Sequence, residues 1–266
     1  MPPAPDAEAP VLYAVRDHAA RITLNRESAR NALNDEVAGR IAEGLVRAQA
    51  DREVRVIVLT GAGDRAFCAG GDLKAGVGDS PFEADPAHPE NPIIELFKAF
   101  EATTKPTIAR VNGHALAGGL GLMCACDIAI ATDRATFGVP ETGIGLFPMM
   151  ILPYLHRAMP RRRLLEWCIT GERWGADVAL EVGLLNRAVP ADQLDATVDE
   201  LVALVATRSP SAIRLGKMGF HALEDMTLAQ AFEYAQLALP NMARTGDAKE
   251  GFMAFREKRD PRFQGN

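Results

Sequence analysis

No stretch of this chain is apolar for long enough to cross a membrane. It does not open like a secreted protein either. Met1 to Pro10 is rich in Pro and Ala, carries Asp6 and Glu8, and has neither a basic start nor an apolar run behind it. It reads as a disordered tail rather than a signal peptide. An excess of Lys and Arg is also missing: 29 basic residues stand against 35 acidic ones, for a formal charge of −6. A nucleic-acid binder draws its affinity from clustered cations, so that class is excluded. Cysteine is sparse. Cys68, Cys124, Cys126 and Cys168 form no C-x-x-C pair and have no His or Cys partner at zinc-like spacing. No metal site is expected, and free buried thiols in a reducing, cytoplasmic setting are. There is no internal repeat. No Ser sits in G-x-S-x-G, so a serine hydrolase is not indicated.

What is present is a chain of 266 residues with 48% hydrophobic content, enough for a large buried core. Val11–Val15 and Arg21–Leu24 around Asp17-His18 suggest a β-hairpin. Asn34 is placed to cap a helix from Asp35 in which Val37, Ile41 and Leu45 recur at helical spacing. Val54–Thr60 and Thr107–Val111 read as buried strands, with a helix over Ile93–Phe100 between them. Gly76 to Pro92, rich in Gly, Pro and Asp, reads as a long surface loop of the kind that walls a pocket. Asp127–Ala131 and Thr136–Gly138 read as short strands, and helical patterns dominate after Pro160. Strand–helix units followed by helices imply an α/β core with a helical C-terminal part. The expected division is a tail at 1–10, a core at 11–200 and a helical region at 201–266.

Two segments carry the chemistry. Ala66-Phe67-Cys68-Ala69-Gly70-Gly71-Asp72 and Asn112-Gly113-His114-Ala115-Leu116-Ala117-Gly118-Gly119 each follow an apolar run and collapse into small residues. Small residues let a ligand reach the backbone. Two such loops can aim two peptide N–H groups at one oxygen, which is the chemistry of an oxyanion hole. Gly61-Ala62-Gly63-Asp64-Arg65-Ala66 also fits a dinucleotide-type G-x-G-x-x-A, but a true fingerprint opens directly into a helix, and here a Gly-rich stretch follows. Glu141, in Val139-Pro140-Glu141-Thr142-Gly143, is an acid among apolar and small neighbours with no basic residue close in sequence. Partial desolvation would raise its pKa and suit it to proton transfer.

With Leu24-Asn25-Arg26, Asn31-Ala32-Leu33-Asn34, Cys126-Asp127, Phe137-Gly138-Val139-Pro140-Glu141 and Glu250-Gly251 to Arg259, these segments run in one order over nearly the whole chain. In that order they resemble the crotonase superfamily, the enoyl-CoA hydratase/isomerase family. The resemblance implies an α/β spiral of ββα units with a C-terminal helical trimerisation region. It implies an acyl-CoA partner, a homotrimer or dimer of trimers, and no cofactor beyond the CoA of the substrate. It puts the oxyanion donors on Ala69 and Gly118, with Glu141 moving the proton. CoA and acyl contacts fall on Arg26, Ala66, Cys68, Gly70, Gly71, Asp72, Leu73, Gly119 and Lys258, the last reaching a neighbouring subunit's ligand. Asp72 also reads as a turn-tying residue, and Asp127 as a strand-start acid bonding backbone N–H groups. The implied reaction is hydration of a 2-enoyl-CoA. Two-acid hydratases carry a second Glu where this chain has Gly121, so Δ3–Δ2 isomerisation is the alternative. A non-catalytic acyl-CoA-binding protein is the reading from another class.

Overall fold

The computed structural model describes residues 8–72 and 90–266. Residues 1–7 of the expected tail, Leu73, and residues 76–89 of the expected loop lie outside the described residues. The described strands are β1 (Val11–Arg16), β2 (Ala19–Leu24), β3 (Val56–Gly61), β4 (Ala66–Cys68), β5 (Thr107–Val111), β6 (His114–Leu116), β7 (Ile128–Thr132), β8 (Thr136–Gly138), β9 (Arg173–Gly175) and β10 (Arg187–Val189). The helices run α1 (Asp35–Ala50), α2 (Pro92–Ala102), α3 (Gly118–Cys124), α4 (Leu152–Ala158) and α5 (Arg161–Thr170) through the first part. They continue as α6 (Ala176–Glu181), α7 (Leu194–Ala206), α8 (Pro210–Glu224), α9 (Leu228–Ala243) and α10 (Gly246–Glu257).

Six strands form one sheet in the order β1-β2-β3-β5-β7-β10, with only the β1–β2 hairpin antiparallel. The apolar run of β3 has no polar alternation because both faces are covered. Ile57 and Leu59 pack with α1 and α2 through Val37, Ile41, Leu96 and Phe97. Val56 and Val58 pack with α7 through Leu194, Val198 and Val202. Asn34 caps α1 by accepting the Val37 N–H at 2.9 Å. Ala9 and Pro10, expected in a disordered tail, are tied to the sheet edge: Asn25 donates to the Pro10 carbonyl at 2.8 Å and to the Ala9 carbonyl at 2.9 Å.

A second sheet, β4-β6-β8-β9, grows out of the first. Strands β3, β5 and β7 each turn tightly into β4, β6 and β8. Gly113 permits the β5–β6 turn, since a Cβ there would lie 2.4 Å from the Arg65 backbone. Asn112 and Asn31 hold the facing loop. Asn112 accepts the Gly61 N–H at 3.1 Å and donates to the Gly63 carbonyl at 2.8 Å. Buried Asn31 donates to the carbonyls of Ala62 at 3.0 Å and Ala66 at 2.7 Å.

Helix α7 runs across the expected boundary between residues 200 and 201. A boundary at 200 would cut α7, whose Val198 and Val202 are both buried against the sheet. The arm proper is α8–α10. It is held to the core by polar ties, among them Lys217 to Asp127 at 2.8 Å. Asp127 in turn accepts the Thr107 N–H at 2.7 Å, the strand-start role its position implied.

Candidate active site

In the small sheet β4, β6 and β8 are parallel neighbours, so their C-terminal ends emerge side by side, about 4.8 Å apart from strand to strand. Each end delivers one group. Gly71 follows β4, Gly118 follows β6 and Glu141 follows β8. All three line one cavity of about 480 Å³, together with Leu33, Asn91 and the segment from Ile144 to Ile151. Ligand sites at the carboxyl ends of parallel strands are the general rule for α/β sheets.

Gly118 opens α3, so its N–H lies in the first helical turn and has no partner within the helix. The residue before it, Ala117, is forced to φ +48° and ψ −126°, outside the range an L-residue favours. Its N–H is fixed on the Gly138 carbonyl at 2.9 Å, which ties the end of β6 to β8. Gly119 presses against β4: a Cβ there would lie 2.2 Å from the Cys68 carbonyl oxygen.

The first loop departs from expectation. The Ala69 N–H donates to the Arg30 carbonyl at 3.1 Å, so it is engaged inside the protein. Leu33 pairs across the loop, giving its N–H to Gly70 at 2.8 Å and accepting from Asp72 at 2.7 Å. That leaves the Gly71 N–H with no acceptor among the described residues. Its nitrogen lies 3.8 Å from where a Cβ on Gly118 would stand. The geometry therefore brings Gly71 and Gly118 together as the two open donors. Gly70 makes the bend at φ +96°, against Ala117. Ala69 lines the cavity, whereas buried Ala66 and Cys68 serve the sheet instead.

Glu141 sits on a short 3₁₀ turn, Pro140–Ile144, closed by Gly145 at φ +81°. The turn is backed by α5, whose Trp167 stacks on Trp174 at 4.0 Å. Its buried Oε2 has no hydrogen-bond partner among the described residues. Burial raises the carboxyl's pKa above the ordinary value, opposed only weakly by its own backbone N–H. The neighbouring Cys168 thiol is pushed up to about 11 by burial and then by the Glu141 charge. Burial also holds Cys68 and Cys124 up at about 12. These are protonated, structural thiols.

Two of the expected ligand residues, Arg26 and Asp72, are engaged with each other. Arg26 donates to the Ala32 carbonyl at 2.7 Å and pairs with Asp72 at 2.8 Å, so the two brace the loop instead of presenting a free cation and a free acid. His114 bonds Thr136 Oγ1 at 2.7 Å and does not line the cavity. Burial first, then Arg173 and Arg30, lowers its pKa. Lys258 is an exposed left-handed cap of α10. Leu73 is not among the described residues.

Two features were not read from the sequence. Asn31 and Asn112 stand in the motifs, but their brace role needs the fold. Gly121, where a second acid would stand, faces a filled space: a Cβ there would meet Ile151 Cγ2 at 2.3 Å and Phe97 Cζ at 3.0 Å. Among the described lining residues Glu141 is the only ionisable one.

The pattern of the family described as "Enoyl-CoA hydratase/isomerase" matches residues 15–266. The (E)-benzylidenesuccinyl-CoA hydratase of Thauera aromatica is 35% identical over 263 residues, covering 96% of this chain and 99% of that protein. The crystal structure of an enoyl-CoA hydratase from Mycobacterium smegmatis superposes with a TM-score of 0.89 at 32% identity, covering 96% of this chain and 99% of that one. One from Bacillus anthracis gives 0.89 at 32%, covering 97% and 100%. The spiral, the paired small-residue loops and the acid beyond β8 thus belong to a chain that is a member of the enoyl-CoA hydratase/isomerase family, within the crotonase superfamily.

Proposed function

We propose that this protein hydrates a 2-enoyl-CoA, with Gly71 and Gly118 as the oxyanion donors and Glu141 as the proton carrier. The observation that carries the reading is one cavity lined by two open N–H donors and a carboxyl whose inner oxygen is unpartnered. The thioester oxygen accepts from both N–H groups. As water attacks the β-carbon, electrons move through the double bond onto that oxygen. The neutral Glu141 carboxyl gives its proton to the α-carbon, and the proton lost by water restores it. Donors fixed before reaction stabilise the oxyanion without reorganisation, and each is worth about 3–4 kcal/mol in measured oxyanion holes. A carboxyl with raised pKa suits the donor role near neutral pH. The reaction requires no metal or redox cofactor. The hydratase names of the matched relatives support hydration.

The blocked position at Gly121 favours a second reading, double-bond isomerisation, in which Glu141 alone takes a proton and returns it one carbon pair away. Product analysis on 2- and 3-enoyl-CoA substrates in water labelled with heavy oxygen decides between them. Hydration places the label on the β-carbon. Conversion of the 3-enoyl ester without label would replace the hydratase reading with isomerisation. Tight ester binding without turnover would favour the binding-protein reading.

The same proposal includes a homotrimer or a dimer of trimers. Its support is the exposed apolar surface of α8–α10, from Phe220 through Phe232 and Leu239 to Phe255. Lys258, exposed at the end of this arm, is assigned to the CoA of a neighbouring protomer.

A further inference from the structure

The cavity does not end at the reacting groups. From Glu141 it continues along Ile144, Leu146, Phe147, Met149 and Ile151, with Ile93 opposite. Four of these side chains are exposed although large and apolar: Ile144 at 58%, Leu146 at 42%, Phe147 at 36% and Met149 at 65%. The backbone holds them there. Gly145 turns the chain at φ +81°, Leu146 donates to the Glu141 carbonyl at 3.0 Å, and Met149 donates to the Phe147 carbonyl at 2.7 Å. The segment is thus anchored to the acid itself. Ile151 closes the inner end by filling the space beside Gly121.

The polarity of this wall is one-sided. Apart from Glu141, the described lining carries a single polar side chain, Asn91, whose Oδ1 accepts the Ile93 and Ile94 N–H groups at 2.9 and 3.3 Å as the cap of α2. No Lys, Arg or His is among the described lining residues. Among the described residues a charged group on the acyl chain would lose its water here without meeting an opposite charge, and burying an unpaired charge is strongly unfavourable. A hydrocarbon chain would remove from water both its own surface and that of the four exposed side chains. Met adapts to such a chain because it is unbranched and polarisable.

We propose that the acyl group bound here is an uncharged hydrocarbon longer than four carbons, and that the segment from Ile144 to Ile151 sets this choice. The proposal rests on the acyl-CoA reading above and narrows it.

The test compares binding of three saturated esters, butyryl-CoA, octanoyl-CoA and suberyl-CoA, by calorimetry, so that it does not depend on turnover. Their CoA parts are identical. Each buried methylene is worth about fourfold in affinity, so with four more of them octanoyl-CoA is expected to bind up to about 250-fold tighter than butyryl-CoA. Suberyl-CoA, which ends in a carboxylate, should lose most of that gain. Met149→Lys, at an exposed position that tolerates the change, should reduce the octanoyl preference and raise the affinity for suberyl-CoA. Phe147→Ala should reduce the octanoyl-to-butyryl ratio about tenfold without favouring the carboxylate. Equal affinities for butyryl- and octanoyl-CoA, or ratios that neither substitution moves, would overturn this inference while leaving the proposed reaction standing if crotonyl-CoA is turned over. Failure of all three esters to bind would overturn both.

Discussion

The small sheet and the C-terminal arm are built on opposite terms. Within β4 and β8 the aromatic side chains are packed, and the loops that join the strands are held by hydrogen bonds. Phe67 and Phe137 are fully buried, and Asn31 and Asn112 spend their amides on loop carbonyls. The groups left over, two N–H donors and one carboxyl oxygen, all meet in one cavity. In the arm the leftover groups are apolar. Helix α9 has no buried residue, and Leu228, Phe232 and Leu239 are each about two-thirds exposed, at 70%, 65% and 67%. Unspent polar groups in a packed setting mark where a ligand acts. Unspent apolar groups on a helix mark where another protein surface belongs. The described part of the first region packs within one chain, whereas the second leaves uncovered the apolar face that the proposed assembly would use.

That contrast has three tests. The largest effect is expected from Glu141→Gln, which keeps shape and removes the proposed proton carrier. Turnover should fall by about 10²–10⁴-fold, while thermal unfolding stays where it was or moves up, because an unpartnered carboxyl has been replaced by a neutral amide. The limb of the pH–rate profile that lies above the ordinary carboxylate range should vanish with it. A large loss of stability would break the claim that the site is spent on chemistry. Next is Phe232→Lys with Leu239→Lys. On a lone chain such exposed changes should matter by no more than about 0.5 kcal/mol. On an interface they should turn a sedimenting trimer into monomer and abolish the concentration dependence of the unfolding temperature that the native assembly shows. Unaltered sedimentation would put the arm's apolar face outside the assembly.

The smallest effect concerns Asp247, the hub inside the arm. Its buried carboxylate accepts from Ser209, from the side chain and backbone of Ser211, and from the N–H groups of Gln264 and Gly265. These donors hold its pKa down at about 2 against an ordinary 3.8, although burial opposes them. A depressed folded-state pKa contributes stability above the unfolded value, and that contribution is lost as pH falls from near 4 through about 2. It amounts to roughly 2 kcal/mol. Asp247→Asn should therefore lower the unfolding free energy by about that much at neutral pH and flatten its acid dependence below pH 4. An acid dependence identical to that of the native chain would place the arm's cohesion elsewhere.

Long apolar strands and amphipathic helices were legible in the sequence because their signal lies in the residues themselves. Thr107–Val111 forms β5 with the expected bounds, and the helical patterns after Pro160 appear as α5 through α10. Three-residue strands such as β4, β6, β9 and β10 carry no period to read. They exist because neighbours pair with them. The site was legible in composition and family order but not in detail. Ala69 and Gly71 sit in the same small-residue loop, and nothing local tells which N–H is free. The answer depends on the Arg30 carbonyl, which α1's approach brings across from a distant segment. The filled space at Gly121 was hidden in the same way, since Ile151 reaches it only through the packing of α4 against α3. Glu141 was found because its solitude is visible in one dimension.

Ala117 gives the cavity a dependence that its residues alone would not suggest. An alanine at φ +48° stays there only while its N–H is on the Gly138 carbonyl and Gly70 lies against its methyl. The free energy that keeps it out of its preferred backbone region is drawn from the sheet as a whole. If β6 and β8 part, even briefly, Ala117 relaxes and the Gly118 N–H turns away with it. On warming, activity and hydrogen-exchange protection at Ala117 should therefore fade together, ahead of global unfolding, which makes the proposed oxyanion hole a local thermometer of the sheet that builds it.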